Sequence, residues 1–164
     1  MQSLIINLSR NLNLRAANIL QEGLPMVQLI VGKKGKGKTK HLLDKVNTEV
    51  QNVSGNIVYL DKSTKHMYEL NNKIRLIDVS SYLISNSDEF IGFISGIISQ
   101  DHDLEQMYFD SFLKIACLEE DHLSEIIQKL EKISNTFKID FVISVSVDEE
   151  DLSETDKDKI IVSL

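Results

Sequence analysis

Val27-Gln28-Leu29-Ile30-Val31-Gly32-Lys33-Lys34-Gly35-Lys36-Gly37-Lys38-Thr39-Lys40 is the stretch on which the reading of the whole chain turns. A short apolar run of strand character ends at Gly32, and Gly32 to Thr39 fit the pattern G-x-x-x-x-G-K-[ST]. Each position has a physical reason. Gly32, Gly35 and Gly37 let successive backbone N–H groups wrap closely around phosphate oxygens, and a helix opening near Lys38 adds the positive end of its dipole. Lys38 brings a point charge to the β- and γ-phosphates, and Thr39 can set its hydroxyl on a magnesium ion that bridges them. Lys33, Lys34, Lys36 and Lys40 crowd the same loop, so Gly32 to Lys40 is read as one nucleotide-binding segment.

Outward from the loop, helix and strand patterns alternate. Leu42, Leu43, Val46, Val50 and Val53 make one helical stripe. Asn56 to Leu60 and Ile74 to Val79 are short apolar runs of the kind buried in parallel sheets. A helix is predicted over Asp88 to Ser99, with Gly92 and Gly96 allowing close packing on a sheet. Leu104 to Phe109 is a fourth strand. The clearest helix opens with Asp121 as N-cap and carries Leu123, Ile126, Ile127, Leu130, Ile133 and Phe137 on one face. Phe141 to Val147 is a fifth strand, Asp148 to Asp158 is too acidic for a core, and Ile160 to Val162 can return as an edge strand. This order predicts an α/β three-layer sandwich with a mostly parallel, doubly wound sheet of about five strands, its ligands at the strands' carboxyl ends.

Residues 1–25 read differently. They are rich in Asn and Leu, hold one acid, Glu22, and end at the only proline, Pro25. They are expected to be a non-core extension. Gln21-Glu22-Gly23 can be encoded by a purine-rich ribosome-binding sequence, which would make Met26 the true start. Residues 26–164 are then the nucleotide-binding domain, consistent with a 164-residue chain that is 42% hydrophobic and 26% charged.

The net charge of -7 argues against a surface that binds nucleic acid mainly by charge. Its distribution is uneven. Met26 to Arg75 holds ten Lys and Arg against four Asp and Glu, a net of +6, whereas Asp101 to Leu164 holds six Lys against 17 acids, a net of -11. A lone cysteine, Cys117, builds no disulfide framework, and no apolar stretch approaches the ~20 residues a bilayer requires. A cytoplasmic protein without membrane insertion is expected.

A magnesium site needs an acid at a neighbouring strand end. Met107-Tyr108-Phe109-Asp110 has that form, and Asp110 is ranked first as metal-binding and catalytic residue alongside Thr39 and Lys38. Ile57-Val58-Tyr59-Leu60-Asp61 has the same form, so Asp61 is kept as a second-line catalytic candidate.

On these residues, 26 to 147 resemble a P-loop NTPase domain. More narrowly, the stretch from Val27 to Lys40, together with Asp61-Lys62-Ser63-Thr64-Lys65-His66-Met67-Tyr68 and Phe141 to Ser146, resembles small, poorly characterised bacterial ATP-binding proteins. Some of these carry a twitching-motility ATPase label, although the chain has no room for that enzyme's additional N-terminal domain. The leading reading is magnesium-dependent ATP binding, with ATP and Mg²⁺ as ligands, and slow hydrolysis whose nucleotide state controls contact with a protein partner.

One departure matters. Many ATPases with an additional central strand have Glu immediately after the strand-end Asp, and this chain has Ser111. The hydrolysis base is therefore open between Asp61 and, at longer range, Glu69. Ser144 or Ser146 resembles a polar sensor of the γ-phosphate. Arg75, the only arginine after residue 15, is expected on the surface at a strand start. A non-hydrolysing nucleotide sensor is the alternative function. A small-molecule kinase would need more arginines, and Asn72-Lys73-Ile74-Arg75 lacks the aspartate that would read guanine in a GTPase.

Overall fold

In the computed structural model, which describes residues 26–164, all strands run parallel in one six-stranded sheet ordered β3-β2-β4-β5-β1-β6. The strands are β1 (Val27–Val31), β2 (Asn56–Asp61), β3 (Ile74–Asp78), β4 (Leu104–Phe109), β5 (Asp140–Val145) and β6 (Ile160–Ser163). The expected edge strand over Ile160 to Val162 thus forms, giving six strands where about five were expected. The extension expected over residues 1–25 lies outside the described residues.

The layers follow from strand alternation, which sends successive side chains to opposite faces. Ile30, Ile57, Tyr59, Tyr108 and Val142 pack on one face against Leu42, Leu43 and Val46 of α1 (Lys38–Glu49). The opposite face carries Leu29, Leu60, Met107, Phe109, Phe141 and Ile143. It is covered by α2 (Ser87–Gln100), the short α3 (Phe112–Ile115) and α4 (Leu123–Phe137). A four-residue α5 (Glu154–Lys157) precedes β6. Because both faces are covered, the strands read as continuous apolar runs rather than as alternating ones. Phe109 is the centre of an aromatic cluster, with ring centroids 5.5 Å from Phe90, 5.8 Å from Phe112 and 5.4 Å from Phe141. These contacts fix the strand end that leads into Asp110.

The helices depart from expectation in three places. Asp121 does not cap α4. It sits in a 3-10 turn, Glu120–His122, that winds directly into the helix, so no side-chain cap is made. Phe137 is 56% exposed, because Lys138 adopts a left-handed conformation that ends α4 and turns Ile139 into the core instead. Gly92 and Gly96 face solvent, and a Cβ at either would meet nothing within 4 Å, so close packing on the sheet is not their role. In the acidic segment after β5, Asp156 is buried all the same, accepting hydrogen bonds from Ser124 and Ser153 at 2.6 and 2.8 Å. Among the described residues no helix is long and apolar enough to cross a membrane.

Candidate functional site

The loop between β1 and α1 is built as its glycines predict. Gly35 and Gly37 have φ of 85° and 96°, a left-handed conformation that costs a glycine little and any side chain more. Gly37 is the cap residue of α1, so the helix amino terminus opens into the loop. The loop's entrance is pinned by the Gly32 N–H, which donates to the Val147 carbonyl at 2.9 Å. Lys38 is only 7% exposed and its ammonium donates to the Lys33 carbonyl at 3.1 Å. Burial pushes its pKa down, and Asp110 opposes that shift. A buried ammonium at the amino terminus of a helix suits a multiply charged anion.

The acids arrive by alternation. Tyr59 and Tyr108 point to the α1 face, and two residues on, Asp61 and Asp110 fall on that same face. The register Leu60↔Phe109 then sets the two acids level at the sheet's carboxyl edge. Asp110 is 3% exposed and hydrogen-bonded at both oxygens: Oδ1 accepts from the Thr39 hydroxyl at 3.2 Å and the Ser111 N–H at 2.8 Å, and Oδ2 accepts from the Tyr59 hydroxyl at 3.0 Å. Burial and then Asp110 push the Tyr59 phenol far above its ordinary range, so it remains a donor. Asp61 is 2% exposed, with Oδ1 accepting from the Lys62 N–H at 2.6 Å. Burial, and after it the charge of Asp110, pushes its carboxyl up.

Thr39 Oγ1 and Asp110 Oδ1 fit a magnesium ion by their chemistry and spacing. Both are hard oxygens, and adjacent ligands of an octahedral ion bound at ~2.0–2.1 Å lie about 2.9 Å apart, close to the 3.2 Å found here. Thr39 and Asp110 would hold the ion, and the loop the phosphates.

Other expected site residues are placed less directly. Ser144 is buried on β5, on the α1 face and one step beyond the pair Phe109↔Ile143, which sets it beside Asp110; Ser146 is exposed past the strand end. Lys33 forms an ion pair with Asp148 at 3.0 Å across the loop's outer side, while Lys34, Lys36 and Lys40 are exposed. Glu69 is bonded to His66. Arg75 is exposed near the amino end of β3, away from the carboxyl edge that holds the acids.

Sequence reading missed three features. Tyr59 as a buried partner of Asp110 was open to the alternation argument, since residues 59 and 108 share a face. His66 comes near the acids only through the turn after β2. Lys62 and Lys114 also gather beside Lys34, and their mutual repulsion lowers the pKa of Lys114. They line a cavity of about 140 Å³ with Ser80, Tyr82 and Cys117.

Neither family models nor curated proteins give a match to this chain. Among solved structures, the chain is similar to a KaiC-like protein of the hyperthermophilic archaeon Pyrococcus horikoshii OT3, with a TM-score of 0.54 and 20% identity. The likeness covers 75% of this chain and 64% of that one, so this chain spans less than two thirds of that protein's length. The six-stranded parallel sheet between helical layers is the fold of the P-loop NTPases. Within it, β5 lies between the loop strand β1 and the Asp110 strand β4. The twitching-motility label gains no support from this likeness.

Proposed function

We propose that the domain binds magnesium–ATP at Gly32 to Lys40 and hydrolyses it slowly, with nucleotide state governing contact with a protein partner. The observation that carries this reading is the approach of Thr39 Oγ1 to Asp110 Oδ1 beneath the loop, with the buried Asp61 carboxylate level with Asp110. Lys38 and the loop N–H groups hold the phosphates and take up charge as the terminal phosphoryl group leaves. Magnesium, when bound, supplies further neutralisation at the β- and γ-phosphate oxygens. Asp61 accepts a hydrogen bond from the attacking water and orients it, and burial, with the neighbouring Asp110 after it, raises its proton affinity for that task. Ser144, buried on β5 one step beyond the pair Phe109↔Ile143, senses the γ-phosphate.

A non-hydrolysing sensor is the second reading, favoured by Ser111 in the place where a glutamate would activate water. Single-turnover hydrolysis of radiolabelled ATP and GTP, with and without magnesium, separates the two. The expected result is magnesium-dependent cleavage of ATP well below the ~10 s⁻¹ typical of competent enzymes. No cleavage above the uncatalysed rate would leave the sensor.

A further inference from the structure

The carboxyl edge of β2 and β4 holds a donor set that magnesium alone does not call for. Asp61 and Asp110 are both withdrawn from water, at 2% and 3% exposure, and like charges so placed favour a cation between them. His66, in the turn after β2, joins them. One ring nitrogen of His66 and one oxygen of each aspartate lie within 4.8 Å of one another. The hydrogen bond found to the Asp61 carboxylate is to Oδ1, from the Lys62 N–H.

The imidazole is oriented as well as near. His66 Nδ1 lies 2.9 Å from Glu69 Oε1. A carboxylate only accepts, so Nδ1 carries the hydrogen, and in the neutral imidazole Nε2 keeps its lone pair for a metal. An outer carboxylate on the far ring nitrogen is the arrangement that fixes tautomer and ring angle in metal-binding histidines and raises their basicity. Mixed imidazole and carboxylate ligands suit manganese, iron, cobalt, nickel or zinc, whereas magnesium prefers oxygen alone.

We propose that Asp61, His66 and Asp110 bind a divalent first-row transition metal, with His66 as the ligand that distinguishes this ion from magnesium and Glu69 as the residue that positions it. The site shares Asp110 with the proposed magnesium–ATP site but needs no nucleotide. A carboxylate engaged by the ion is not free to orient water, so occupancy and turnover exclude each other at Asp61.

The test is titration of the nucleotide-free full chain with Mn²⁺, followed by electron paramagnetic resonance with spin-echo detection of nitrogen coupling. Bound Mn²⁺ is expected to show coupling to a histidine nitrogen. His66→Ala, at a half-buried turn position, should remove the coupling and weaken binding more than tenfold; Glu69→Gln should weaken binding while keeping the coupling. Absence of Mn²⁺ binding, bound Mn²⁺ without nitrogen coupling, or coupling that survives His66→Ala would each overturn the proposal. Magnesium–ATP affinity measured on the same samples separates that failure from failure of the nucleotide reading.

Discussion

Asp110 serves two neighbours that pull on different oxygens. Tyr59 anchors Oδ2 from within the core, and that leaves Oδ1 aimed at Thr39 and the loop. The hydrogen bond found to Asp61 is at Oδ1, from the Lys62 N–H, and with both oxygens of Asp110 engaged it is Asp61 that is assigned the water. Asp61→Asn keeps the shape and relieves repulsion with Asp110, so ATP affinity should stay within a few-fold while single-turnover hydrolysis falls about 100-fold, the usual contribution of a positioned base. An unchanged rate would remove Asp61 from the mechanism. At this scale the sequence was readable where residue type and spacing carry the chemistry, as in Gly35, Gly37 and Lys38. It was silent where a turn supplies the partner. Nothing in Asp61-Lys62-Ser63-Thr64-Lys65-His66 fixes the angle at which His66 comes back over Asp61, because that angle belongs to the backbone of the turn.

Strands and helices were legible for a different reason: burial on both faces leaves apolar runs bounded by polar residues, and the runs read at Leu104 to Phe109 and Ile74 to Val79 form the strands Leu104–Phe109 and Ile74–Asp78. Helix ends and glycines were less so, since packing decides them. Gly92 and Gly96 lie in the exposed interior of α2, where glycine costs backbone entropy without a compensating contact. Gly92→Ala and Gly96→Ala should therefore each stabilise the fold, by roughly 0.5–1 kcal/mol in urea denaturation; destabilisation would mean that a partner covers this face. At the start of β5, burial and then Glu49 push the Asp140 carboxyl up, against a smaller opposing effect of Lys45. A carboxyl raised in the folded state lends stability only while protonated, and that stability is lost as pH rises through its folded value. Asp140→Asn should thus raise the melting temperature at pH 7 and lose most of that advantage near pH 4; equal shifts at both would contradict the assignment.

For the whole molecule, the order β3-β2-β4-β5-β1-β6 brings together residues far apart in sequence. Thr39 and Asp110 are 71 residues apart and meet because β5 alone separates their strands. That order was not readable from periodicity, since strand order leaves no local trace in a parallel sheet. The net charge follows the same geometry: the lysines of the loop gather at the carboxyl edge, and the acidic stretch after β5 meets it in the ion pair of Lys33 with Asp148. An exposed pair of this kind adds little stability, so the loop's form rests on its glycines and on Gly32 bonded to Val147. The proposed function depends on that loop holding nucleotide phosphates. Calorimetric titration of ATP at fixed magnesium into the natural chain and into Lys38→Ala tests it most directly, because the substitution removes one charge and leaves the backbone cradle intact. Loss of a charge-assisted bond worth ~1.5–3 kcal/mol predicts a fall in affinity of more than tenfold. Equal affinity in the two proteins, or no ATP binding by the natural chain, would contradict the account.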